Sequence, residues 1–169
     1  HFRKYTLATD SWDTVKTVDT ADFSINFPEI KVNENSNAIL SWDKGINDGG
    51  SGTIDTLNAV VYNDSKGTFG PIKEFLENDI NYQGFDILAD IGNDFSIFYS
   101  LTGPDHATQH TYDFNAETWN SATVIYEFFG DSYYAVTSNS IGERVLSGVS
   151  YRLVNQEAQQ YVQTSIFLP

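Results

Sequence analysis

The densest gathering of hard oxygen donors in the chain is Asp43-Lys44-Gly45-Ile46-Asn47-Asp48-Gly49-Gly50-Ser51-Gly52-Thr53-Ile54-Asp55. Carboxylates and an amide interleaved with glycines are what Ca²⁺ needs, because it collects roughly six to eight oxygens at short range from a chain that must wrap tightly. Asp43, Asn47, Asp48 and Asp55 are the candidate ligands. Their spacing fails the EF-hand pattern at its third and last positions, and the plain alternative is an interstrand loop of Gly, Ser and Asp. Asp86, Asp90, Asn93 and Asp94 form a second acidic group that reads as a solvated turn.

Histidine offers less. His106 and His110 share a face whether the segment is helix or strand, but in a strand they stand too far apart for easy chelation, and the pair reads as solvated loop histidines. His1 could hold copper through its amine and ring, with His106 or His110 as a further ligand, yet nothing else in the chain fits that chemistry. Ser147-Gly148-Val149-Ser150-Tyr151 lacks the second glycine of a nucleophile elbow. No glycine loop for phosphate is present. The 23 carboxylates could pair in space for glycoside hydrolysis, but spacing along the chain does not identify a pair. Asn63-Asp64-Ser65 is a formal glycosylation sequon.

Flat aromatic faces suit sugar rings, and Trp12, Trp42, Phe69, Tyr99 and Trp119 are the obvious platforms. Their periodic recurrence points instead to core packing, since a ring that returns once per structural unit fills the gap between neighbouring sheets. Tyr133 and Tyr134 fall outside that phase and are the aromatic residues expected to be exposed and available to a ligand.

The elements that must position these groups are strands. Short β-branched and aromatic runs bounded by Asn, Asp and Gly recur throughout, as in Glu29-Ile30-Lys31-Val32 and Ala38-Ile39-Leu40-Ser41-Trp42, joined by the polar turn Asn33–Asn37. Asn155–Gln160 is polar all round, has no face to bury, and reads as a loop. The chain has 169 residues, 40 % of them hydrophobic, enough for one real core. No run is long and apolar enough to span a bilayer, and His1–Tyr5 carries no signal-like apolar stretch, so any export signal is expected to have been removed. A net charge of −14 repels phosphate backbones and anionic membrane faces, which argues against nucleic acid and membrane insertion. With no cysteine there are no disulfides and no thiolate chemistry.

A repeat underlies the pattern. Tyr5, Tyr62 and Tyr112 each precede an aromatic residue by seven positions, namely Trp12, Phe69 and Trp119, and Tyr161 extends the series. Ile30 to Trp42 and Ile87 to Tyr99 keep the same phase. A further hairpin is expected from Tyr133–Val136 and Arg144–Ser147. The units are approximately 5–61, 62–111 and 112–160, followed by a terminal strand 161–169. About four strands per unit is the signature of a propeller blade. The predicted fold is all-β, with β-propeller-type four-stranded blade repeats, about three blades plus a terminal strand.

Thr9-Asp10-Ser11-Trp12 and Pro28-Glu29-Ile30-Lys31-Val32-Asn33, continuing to Asn37-Ala38-Ile39-Leu40-Ser41-Trp42, resemble a bacterial β-propeller repeat, at the level of sialidase-like or lectin-like propellers. Asp64-Ser65-Lys66-Gly67-Thr68-Phe69 is similar to the sialidase Asp-box, but with the Asp-to-Gly spacing off by one and Phe in place of Trp. Those enzymes grip a carboxylate with an arginine cluster, and only Arg3, Arg144 and Arg152 exist here. Three units fall short of a closed ring. The resemblance therefore implies a partial propeller, completed by other blades of the same protein or by homo-oligomer partners. The expected role is an extracellular or cell-surface binding or structural module with a protein or glycan ligand. The alternatives are a partial propeller of a glycan-active enzyme, and a self-assembling surface or filament protein.

Overall fold

A computed structural model describes residues 1–20, 24–47, 53–75, 82–89, 94–101, 106–127, 133–139, 143–154 and 157–167. Among them the fold is all-β, with one 3-10 turn at Leu7–Thr9 and no α-helix. The amino-terminal segment forms a small hairpin of β1 (Tyr5–Thr6) and β2 (Ser11–Trp12), extended by a bridge between Phe2 and Lys16. The first large sheet holds β3 (Ser24–Val32), β4 (Ala38–Asn47) and β5 (Thr53–Asn63), with the short β6 (Thr68–Phe69) and β7 (Lys73–Glu74) both on the outer side of β5. The second repeats this plan with β8 (Tyr82–Ala89), β9 (Phe95–Leu101), β10 (His106–Asp113), β11 (Thr118–Trp119) and β12 (Thr123–Glu127). The third consists of β13 (Tyr133–Ser138), β14 (Arg144–Val154) and β15 (Glu157–Phe167). All described pairings are antiparallel.

Register recurs from unit to unit. Tyr5 faces Trp12, Tyr62 faces Phe69 and Tyr112 faces Trp119, with ring centroids 5.1, 5.1 and 5.2 Å apart. Cross-strand aromatic pairs stabilise such hairpins by roughly 0.2–1 kcal/mol each. Each loop places one residue in the left-handed region at the same position before the return strand: Asp10 (φ 47°), Gly67 (φ 65°) and Glu117 (φ 54°). Glycine takes this conformation without the strain a side chain brings. Phe2↔Lys16, Ala59↔Lys73 and Gln109↔Thr123 are likewise one position seen three times. Asn37 Oδ1 accepts the Asp64 N–H at 2.9 Å, and Asp94 Oδ1, at the matching place, accepts the Phe114 N–H at 3.1 Å.

The first spacing is longer than the second, 57 residues from Tyr5 to Tyr62 against 50 from Tyr62 to Tyr112. The same ends pair in both central hairpins, Ala38↔Tyr62 and Phe95↔Tyr112, so the seven-residue difference between them lies in the far part of β4–β5, where Asp43 to Asp55 sit. A frame that starts at each tyrosine cuts every sheet inside itself, since β6 and β7 pair with β5, and β11 and β12 with β10.

The three large sheets lie face on face. Ile39, Leu57, Ala59 and Val61 of the first pack on Ile87, Phe95, Ile97, Tyr99 and Tyr112 of the second. Leu88, Phe98 and Ala107, on the opposite face of the second, meet Val136 of the third. Leu57 and Ile87 in the first cluster, and Ala107 and Val136 in the second, hold equivalent positions in consecutive interfaces. Each fully buried Ile, Leu or Phe contributes about 1.5–3 kcal/mol. The edge strand β8 lies against β3 on one side and β13 on the other, so the first strands of the three sheets adjoin.

The carboxy-terminal part departs from the sequence reading in one place. Glu157–Gln160, expected as a loop, is strand, because Val154, Leu153, Arg152 and Tyr151 supply its backbone partners and override its polar character. Tyr161, where a terminal strand is expected, stands opposite Ser150 within a continuous eleven-residue pairing of β14 and β15.

Candidate functional site

The site is built around β3, the edge strand of the first large sheet. In β3, Glu29 stands opposite Ser41 of β4, so their side chains share the face that packs toward the second sheet, with Cβ atoms about 4.5–5.5 Å apart. Ser41 is buried and its Oγ has no hydrogen-bond partner in the structure; the Glu29 Oε2 beside it is likewise buried and unpartnered. Burial, followed by the nearby Asp86 carboxylate, raises the Glu29 pKa above the usual carboxylate range, with Lys31 opposing the shift. A carboxyl in this setting is harder to ionise than an exposed one.

Asp86 occupies the position in β8 that Glu29 occupies in β3. Its Oδ1 accepts the Ile87 N–H at 2.8 Å, and its Oδ2 accepts the Val136 N–H at 2.9 Å. It is a half-buried strut between sheets, which corrects the expectation of a solvated turn; the cause is the approach of β13, whose backbone donor reaches it. Asp94 also serves the fold, through Phe114, while Asp90 and Asn93 lie outside the described residues.

His110 is packed rather than solvated. Strand β10 starts at His106, so the ring is carried into the sheet, stacked on Tyr99 at 5.9 Å and set 4.9 Å from Phe75. Its Nδ1 lies 3.0 Å from the Asn120 carbonyl and must donate to it; Nε2 is then free to accept the Tyr99 hydroxyl at 3.2 Å. Burial, with a smaller contribution from Lys73, lowers its pKa despite the Asn120 bond. This neutral imidazole uses both nitrogens inside the fold.

Of the calcium candidates, Asp43 is buried in β4 opposite Leu57, Asn47 pairs with Thr53, and Asp55 pairs with Gly45. These three are strand residues, and residues 48–52, with Asp48, lie outside the described residues. Among the described residues no group of three or more His, Cys, Asp or Glu is placed to hold a metal ion. Tyr133 and Tyr134 open β13 opposite Val149 and Gly148, and their side chains lie outside the described set.

The periodic aromatics divide. Trp42 and Tyr99 are buried, Phe69 and Trp119 are half-buried, and Trp12 is exposed beside Tyr5, with the Arg3 guanidinium 5.7 Å from its ring centre. The Trp42 indole N–H donates to Asp19 Oδ2 at 3.2 Å, where Lys44 also reaches at 3.4 Å. Sequence reasoning missed Glu29, Ser41 and Asp19. The only available signal for Glu29 was its match to Asp86, 57 residues away. No described helix is long and apolar enough to cross a membrane. In comparisons with protein-family models, curated proteins and solved structures, nothing matches this chain.

Proposed function

We propose that this chain is a binding or structural module, built as part of a β-propeller and working outside the cell or at its surface on a glycan or protein ligand. The observation that carries the reading is the repetition of one sheet-on-sheet arrangement, with Leu57 and Ile87 in one buried cluster and Ala107 and Val136 in the next, and with the first strands of successive sheets in contact. Adjoining inner strands and outward short hairpins are what blades around an axis require. The acidic, cysteine-free composition favours an exported setting. Glu29, on the edge strand β3, and Ser41 opposite it on β4 carry buried polar atoms that no described residue satisfies.

A glycan-active enzyme is the second reading, and Glu29 favours it, since a carboxyl whose pKa is raised by burial and by a neighbouring carboxylate is of the kind that serves as a general acid. Asp86 speaks against it, because both of its oxygens are engaged by backbone donors. The test is retention of the purified chain on immobilised polysaccharides, with reducing ends assayed in the eluate. Retention that weakens in Glu29→Gln, with no new reducing ends, is expected. Release of reducing ends that Glu29→Gln abolishes would establish the enzyme instead.

A further inference from the structure

Exposure at equivalent positions changes along the stack. Tyr5, Tyr62 and Tyr112 share one register position, yet Tyr5 is 39 % exposed against 3 % and 5 %. Ile30, Ile87 and Val136 share another, and Ile30 is 50 % exposed against 0 % and 9 %. Val32, Ile25 and Phe27, all on the same edge strand β3, are exposed as well. The later members of each series are covered by the preceding layer. The hairpin β1–β2 and its flanks serve as that layer for the first large sheet, with Phe2 on Tyr62 and Phe69, Lys16 over Tyr62, and Asp19 on Trp42. They shield β4 and β5 and leave β3 bare.

The opposite end of the stack is bare in the complementary sense. Ala135 and Thr137 of β13 are exposed, whereas Asp86 and Leu88, their counterparts in β8, are half-buried and buried because the third sheet lies on them. One end therefore presents an uncovered face of the kind that receives a sheet, and the other an uncovered face of the kind that is laid on one.

We propose that the apolar face of β3 around Ile30 and Val32 is a docking surface for a second copy of this chain, whose β13–β14–β15 sheet covers it head to tail. The inference rests on the stacked-sheet reading and not on any ligand. Four apolar residues on one strand, Ile25, Phe27, Ile30 and Val32, are exposed, and the arrangement twice used between the described sheets gives the kind of face that fits them. Because the two faces differ, the contact is heterologous and propagates into a ring if the rotation closes or a filament if it does not.

The experiment is light-scattering mass across a dilution series for the wild type, Ile30→Glu, Val32→Glu and Ala135→Arg. All substituted side chains are exposed, and circular dichroism verifies that each variant is folded. The expected result is a wild-type mass above that of one chain, single-chain masses for variants on either face, and a 1:1 dimer when Ile30→Glu and Ala135→Arg are mixed, since each retains the face the other lacks. A wild type that stays a single chain at its highest soluble concentration overturns the proposal, as does association that survives Ile30→Glu and Val32→Glu or is indifferent to Ala135→Arg. Loss of polysaccharide retention leaves the mass unchanged, so failure of the ligand reading is distinguishable from failure of this one.

Discussion

Glu29 and Asp86 occupy one position in two consecutive sheets, opposite Ser41 and Phe98 respectively, and yet only Asp86 is tied to the next strand. The Ile87 N–H that Glu29 would meet in the matching geometry is already bonded to Asp86 Oδ1. Glu29 is thereby left buried at Oε2 without a partner, close to a second negative charge.

Glu29→Gln is expected to stabilise the fold at neutral pH. The folded-state pKa of Glu29 is raised, so the native state binds more protons than the unfolded chain, and stability falls as pH rises from the ordinary value of 4.5 through the higher folded value. Glutamine removes that loss. With the side chain still partly solvated, the gain is about 0.3–1 kcal/mol. Urea unfolding at neutral pH and near pH 4 checks this, because the advantage of the variant must shrink in acid.

Asp86→Ala is expected to cost about 1–3 kcal/mol, since it strips a charge-assisted acceptor from the Val136 N–H and leaves a backbone donor unpaired at the sheet boundary. Hydrogen exchange at the Val136 amide reads the effect locally. Exchange there should accelerate more than at Ile97, in the core of the second sheet.

His110 is expected to titrate below the ordinary histidine value of 6.5. Its pKa is lowered in the folded state, so its contribution is complete above the unfolded pKa and is lost as pH falls from there toward the folded one. NMR of the imidazole gives the pKa, and His110→Gln should flatten the pH dependence of stability in that window. Deleting the ring with His110→Ala should cost about 1–2 kcal/mol at neutral pH, through the contacts with Tyr99 and Phe75 and the orphaned Tyr99 hydroxyl.

Asp19→Ala removes the acceptor of the buried Trp42 indole N–H and the partner of Lys44. A loss of about 1–2 kcal/mol is expected, with Asp19→Asn milder because the amide oxygen still accepts. Denaturation followed by tryptophan fluorescence reports both the stability and the changed surroundings of Trp42.

Much of the fold was legible along the chain. The hairpin of Glu29–Val32 with Ala38–Trp42 forms with the polar turn between them, and the strand-rich character follows from alternating β-branched and aromatic runs. The tyrosine-to-aromatic spacing was visible because a cross-strand pair in a short hairpin keeps its separation wherever the hairpin recurs. The candidate site was not legible. Glu29, Ser41 and Asp86 come from three strands in two sheets, and nothing local distinguishes Glu29 from any exposed glutamate.

The sequence by itself determined the strand-rich character, the polar turn at Asn33–Asn37 and the phase of the aromatics, since each depends on residues a few positions apart. Only tertiary structure decided which periodic ring is buried and which is bare, that His110 is neutral and packed, that Glu157–Gln160 is strand, and that Asp86 braces two sheets while Glu29 does not. The reason is physical. Equivalent residues begin with the same local preferences, and burial and charge are then set by whichever sheet lies on top of them, a contact between chain segments that are about 30 to 50 residues apart.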